Sequence, residues 1–125
     1  MRAKKSLGQN FLTSPAIAQE IAKAAELSAS DIVLEVGPGK GMLTRALLSS
    51  GAHVIALEKD ARLISPLKEI FSAPIAKGQL EIIYEDALEF EPERHGLEPS
   101  HYKVVANIPY YITGALFKKF LEMKA

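Results

Sequence analysis

The chain contains no cysteine, which excludes disulfides, thiolate metal sites and cysteine nucleophiles. That absence suits a reducing compartment, and the cytoplasm is the expected location. Net charge is also missing. Fifteen basic residues balance fifteen acidic ones, so the overall charge does not announce a nucleic-acid binder. Arg2, Lys4 and Lys5 cluster at the start, Lys118, Lys119 and Lys124 near the end, and Glu81 to Glu98 is acidic. Charge alone reads these as solvated surface. No apolar run approaches membrane-spanning length, and no apolar signal core follows the basic Met1–Lys5. No membrane partner is therefore expected. His53, His95 and His101 lie far apart without metal-ligand spacing, so no metal is expected. Ser6, Thr13 and Ser14 form no recognisable triad with them. Repeats and low-complexity tracts are absent.

What is present fits one domain at most: 125 residues, 48% hydrophobic and 24% charged. A chain of this size buries roughly two-thirds of its unfolded surface, enough for a core. Ser14-Pro15 reads as a helix start, and Ile17, Ile21, Ala24 and Ala25 then keep helical spacing. Asp31–Val36 is a short apolar run ending at glycine and reads as a buried strand. Met42, Leu43, Ala46 and Leu47 continue as a helix that Gly51 stops. His53–Glu58 is a second strand. Asp60 caps a helix carrying Leu63, Ile64, Leu67, Ile70 and Phe71, with Pro66 expected to kink it. Leu80–Tyr84 is a third strand, 92–100 a loop, and Lys103–Asn107 a fourth strand. Thr113 caps a last helix with Leu116, Phe117, Phe120 and Leu121 facing inward.

Strands that alternate with helices predict a parallel α/β sheet, and right-handed crossovers make it doubly wound and open. Four strands would run in the order 3-2-1-4. Ligands of such folds bind outside the carboxyl ends of the strands. Gly37, Glu58, Asp86 and Asn107 all fall at or just after those ends.

Gly37, Gly39 and Gly41 follow the first strand and open a helix. Glycine permits a tight turn and lets a ligand approach the backbone. A tight turn without a ligand is the alternative. The G-x-G-x-G spacing differs from the dinucleotide G-x-G-x-x-G and lacks the Gly-Lys-Ser/Thr ending of a P-loop. Glu58 could accept hydrogen bonds from both hydroxyls of a ribose. A helix cap or an ion pair involving Lys59 and Asp60 competes for that residue. Asp86 could accept a proton of an adenine amino group, or be a turn residue in an acidic stretch. In Asn107-Ile108-Pro109-Tyr110, an amide oxygen and a backbone carbonyl can draw an aromatic amine toward tetrahedral geometry. Pro109 stiffens the turn, and Tyr110 offers a face on which an extruded base can stack. Together these segments point to methyl transfer from S-adenosylmethionine to a base nitrogen, with adenine in RNA as the target.

These residues resemble the ribosomal RNA adenine N6,N6-dimethyltransferases. The likeness runs through Lys5-Ser6-Leu7-Gly8-Gln9-Asn10-Phe11-Leu12, Glu35 to Thr44, Leu57–Asp60, Glu85-Asp86-Ala87 and Asn107 to Ile112. It implies a Rossmann-like methyltransferase fold with S-adenosyl-L-methionine as cofactor. It implies cofactor contacts at Asn10, Leu12, Gly37, Gly39, Gly41, Glu58, Asp86 and Asn107. It implies target-base positioning by Asn107, Ile108, Pro109 and Tyr110. The implied reaction is methylation of two adjacent adenosines in small-subunit ribosomal RNA, on the maturing small subunit. Alternatives are the similar antibiotic-resistance methylases of large-subunit RNA and a cofactor-binding module without catalysis of its own. The resemblance further implies that residues 1–125 are the N-terminal part of the methyltransferase domain. Further strands and a helical RNA-binding domain would then lie outside the chain, leaving strand four as an edge through which it could self-associate.

Overall fold

A computed structural model describes residues 15–106. Along the chain run α1 (Pro15–Ala24), β1 (Ile32–Val36), α2 (Met42–Ser49) and β2 (His53–Glu58). Then come α3 (Ala61–Ile70), α4 (Ser72–Ala76), β3 (Leu80–Tyr84), a 3-10 turn (Pro92–His95) and β4 (Lys103–Ala106). The four strands are parallel, as the alternation predicts, and run in the expected order β3-β2-β1-β4. The expected helix after strand four lies outside the described residues, as does the expected cap Ser14.

Parallel strands covered on both faces must be apolar on both faces. β1 meets this with Val33 on one side and Leu34 and Val36 on the other, all buried. On the first face, α1, α2 and α3 pack through Ala18, Ala22, Leu43, Leu47 and Leu67, with Phe71 after α3 and half-buried Ile75 of α4, onto Val33, Val54, Ala56 and Ile82. No α-helix covers the second face among the described residues. The β3–β4 connection does so instead, folding Phe90, Leu97 and Tyr102 onto Leu34, Val36 and Leu57. The stretch read as loop is thus partly a 3-10 turn with Pro92 at its start, where a missing N–H costs nothing.

Two other details depart from the periodicity. α1 buries Ala18 and Ala22, whereas Ile17 is exposed. The helix through Phe71 is two helices, because Phe71 leaves helical geometry (φ −106, ψ 30). Pro74 explains the break: without an N–H it could not bond to Ile70, but in the first turn of a new helix that group is not needed. Pro66 stays inside α3, on an exposed face.

Candidate functional site

The turn between β1 and α2 begins by extending the sheet. Gly37 N–H donates to the Leu57 carbonyl at 2.9 Å, and Gly41 N–H closes the turn onto Pro38 at 2.8 Å. Gly39 and Gly41 are both left-handed, at φ +60 and +91. Their missing side chains serve different ends. A Cβ at Gly41 would lie 2.5 Å from Phe71 Cε2, so this glycine is required by the core. Among the described residues, a Cβ at Gly39 would meet nothing closer than the Gly37 carbonyl at 3.9 Å. Packing does not demand glycine at 39, and the backbone there is open to a ligand.

Glu58, the last residue of β2, is only 5% exposed. Its Oε1 accepts from Gly39 N–H at 3.0 Å and its Oε2 from Asp60 N–H at 2.9 Å. These two bonds hold the carboxylate against the glycine turn. Each oxygen retains a second lone pair for a hydroxyl donor. The competing roles fall to its neighbour. Asp60 caps α3 by accepting from Arg62 N–H at 3.0 Å and pairs with the Arg62 guanidinium at 2.8 Å. Those bonds hold the Asp60 carboxyl down at about 2.

Beneath the turn lies a carboxyl that sequence reasoning left unassigned. Glu35 is fully buried in β1 and accepts from Thr44 Oγ1 at 2.6 Å through Oε1. Its Oε2 has no hydrogen-bond partner among the described residues. Burial raises the Glu35 pKa to about 7, with the neighbouring Glu58 charge pushing the same way and Thr44 opposing. The available signal was one acidic residue inside an otherwise apolar strand.

Asp86 follows β3 and is half-buried. Its Oδ1 accepts from Leu88 N–H at 2.9 Å, so one oxygen serves a turn. Because β1, β2 and β3 are adjacent and parallel, Gly37, Gly39, Gly41, Glu58 and Asp86 gather along one end of the sheet. β4 ends at Ala106, paired with Val36, so its carboxyl end joins the same row. Asn10, Leu12, Asn107, Ile108, Pro109 and Tyr110 lie outside the described residues. The described histidines do not join the row. His95 stacks on Phe90, with ring centroids 4.6 Å apart. No cluster of three or more potential metal ligands occurs among the described residues, and no described helix is long and apolar enough to cross a membrane.

This row can accept hydroxyl donors at Glu58 and leaves open space beside Gly39, whose N–H holds that carboxylate, which suits a nucleoside-like ligand. The ribosomal RNA small subunit methyltransferase A of Paracoccus denitrificans is 48% identical over 127 residues, spanning 100% of this chain and 43% of that protein. Among solved structures, the 23S rRNA methyltransferase ErmE matches with a TM-score of 0.77 and 38% identity, over 91% of this chain and 43% of that one. A dimethyladenosine transferase from Plasmodium falciparum matches with a TM-score of 0.69 and 35% identity, over 89% and 38%. The chain thus spans about two-fifths of the length of the curated relatives it matches. The family model described as Ribosomal RNA adenine dimethylase matches residues 1–125, and the chain belongs to that family.

Proposed function

We propose that the protein transfers methyl groups from S-adenosyl-L-methionine to the N6 amine of two adjacent adenosines in small-subunit ribosomal RNA, in the cytoplasm, as the subunit matures. The observation that carries the reading is the Glu58 carboxylate pinned against the glycine turn, with lone pairs left for the two ribose hydroxyls. Family membership supports it, as does the Paracoccus denitrificans relative, named for the small subunit. Residues 1–125 constitute the N-terminal part of the methyltransferase domain in this reading, with the remaining strands and a helical RNA-binding domain elsewhere in the protein. A second reading takes large-subunit RNA as the substrate, on the likeness to ErmE. Identity of 48% to the small-subunit relative against 38% to ErmE favours the first.

The open backbone at Gly39 and the carboxylate at Glu58 fit the adenosyl group. Gly37, Gly41, Asn10, Leu12, Asp86 and Asn107 complete the cofactor set. When bound, the cofactor supplies a methyl on a sulfonium, an activated leaving group, so no strong general base is needed. The Asn107 side-chain oxygen and the Ile108 carbonyl accept the hydrogens of the target amine and turn its lone pair out of the ring plane. Pro109 fixes that turn, and Tyr110 stacks on the extruded adenine.

Glu58→Ala is expected to remove charge-assisted hydrogen bonds worth about 1.5–3 kcal/mol. Cofactor affinity should fall roughly tenfold to a hundredfold, read by calorimetric titration with S-adenosylmethionine. Titration with NAD serves as the control for the wider Rossmann-like class. Unchanged affinity in the variant removes Glu58 from the site.

Roles at strand four separate in the whole enzyme. Tyr110→Ala should cost stacking on the order of 1–3 kcal/mol while cofactor affinity hardly changes. Asn107→Ala should harm methyl transfer more. Equal loss of cofactor binding and activity in Tyr110→Ala would contradict the stacking role.

A further inference from the structure

We propose that Glu35 is a positioning residue for the glycine turn, one that gives up a proton when a cationic ligand docks above it and then carries the balancing negative charge. The inference rests on the S-adenosylmethionine reading, because that cofactor brings a sulfonium and an ammonium to this end of the sheet.

The geometry leaves this carboxyl half-used. Glu35 has no exposed surface, and Oε1 alone is engaged, by the Thr44 hydroxyl at 2.6 Å. Oε2 is buried without a hydrogen-bond partner among the described residues. An ionised carboxylate in such a place is costly, because an unpaired buried charge has lost its water. A proton on Oε2 removes the charge. Glu35 also sits one residue before the strand end whose next-but-one glycine is bonded to Glu58. Two carboxyls therefore flank one turn, on adjacent strands, and like charges so placed disfavour double ionisation.

The described surroundings supply no competing cation. α2 contributes Thr44, while Arg45 is exposed and lies over the Phe71 ring, 5.3 Å from its centroid. Lys40 in the turn is exposed, as are Glu20 and Lys23 on α1. On β4 the residue opposite Glu35 is Val105. Lys103 lies at the other end of that strand, bonded to the carbonyls of Ala25 and Glu26. Glu58 is the one described titratable group that acts on Glu35.

A cation arriving over the turn reverses the balance. The O–H bond at Glu35 Oε2 breaks, the proton passes to solvent, and the carboxylate remains with Thr44 donating to Oε1. No other bond changes. Affinity should therefore rise with pH up to about 7 and level off above it, since the ligand competes with a proton held by Glu35.

The test is calorimetric titration of the full 125-residue chain with S-adenosylmethionine, repeated in buffers of different ionisation enthalpy. Wild type should release about half a proton per site near pH 7 and more as pH is lowered toward 6. S-adenosylhomocysteine, which lacks the sulfonium charge, should release less. Glu35→Gln should bind with no proton release and with affinity flat across the same window. Thr44→Val, which keeps the carboxyl and removes its donor, should move the release midpoint to higher pH. Wild-type binding without proton release, or equal release from Glu35→Gln, overturns the inference and leaves the cofactor reading standing. An unmoved midpoint in Thr44→Val overturns it also. No binding of S-adenosylmethionine by wild type overturns both.

Discussion

Gly41→Ala is expected to destabilise the chain by about 2–5 kcal/mol, because two independent costs fall on one methyl group. The first is conformational. At φ +91 an L side chain is strained, at about 1–2 kcal/mol. The second is steric. The new Cβ would sit 2.5 Å from Phe71 Cε2 and 2.8 Å from Phe71 Cζ, and overpacking of this kind costs about 1–3 kcal/mol. Phe71 has little room to retreat, being 3% exposed beneath Arg45 and beside Leu67. Gly39→Ala is the internal control. It shares the positive φ but meets nothing within van der Waals distance except the Gly37 carbonyl, so only the conformational cost applies. Urea unfolding of the ligand-free variants reads the difference. Equal losses at positions 39 and 41 would show that the Phe71 contact does not explain the glycine. Cofactor titration should rank them the other way once stability is corrected for, since a Cβ at Gly39 would stand in open space on the ligand side whereas one at Gly41 would press on Phe71.

That contrast shows how far the sequence could be read. G-x-G-x-G places three glycines after a strand, but spacing cannot say which absent side chain a ligand needs and which a phenylalanine thirty residues onward forbids. The strands were legible because parallel strands covered on both faces leave short, largely apolar runs, interrupted only by Glu35 in β1 and Glu81 in β3 apart from the polar ends of β2 and β4. His53–Glu58 and Leu80–Tyr84 fall where the pattern puts them, and alternation gives a parallel sheet, whereas the reversal at β1 behind the order 3-2-1-4 goes with the Rossmann-like resemblance and not with alternation. α1 was legible as a helix but not as a packed face. Helical spacing counts Ile17 and Ala24, whereas contact with α2 selects the small Ala18 and Ala22, which allow close approach. Apolar spacing continues through the break at Phe71, and only Pro74 announces that the backbone ladder does not. At the site, Glu58 and Asp86 were legible as carboxylates at strand ends. Their present partners, Gly39 N–H, Asp60 N–H and Leu88 N–H, are set by tertiary geometry and local turns. Glu35 was legible only as a motif letter, since its meaning depends on burial.

Burial of Glu35 also sets the largest expected pH effect among the described groups. Its carboxyl titrates at about 7 when folded against an ordinary value of 4.5. Between those values the folded state keeps a proton that the unfolded state has released. Stability therefore falls with rising pH in that window, is fully retained below 4.5, and is flat again above 7. The shift corresponds to a loss on the order of 3 kcal/mol for this one group. Asp60 works in the opposite sense, since its carboxyl is held at about 2 and its support is lost only in acid, so the raw profile mixes the two. Glu35→Gln separates them. The amide keeps an oxygen for Thr44 and carries no titratable proton, so the Asp60 contribution cancels in the comparison. Relative to wild type, the variant should gain about 3 kcal/mol between pH 4.5 and pH 8, measured by urea unfolding at matched ionic strength. Parallel stability profiles for the two proteins would mean that the folded chain does not hold a proton on Glu35. The charge-balancing role beneath the glycine turn would then have no basis.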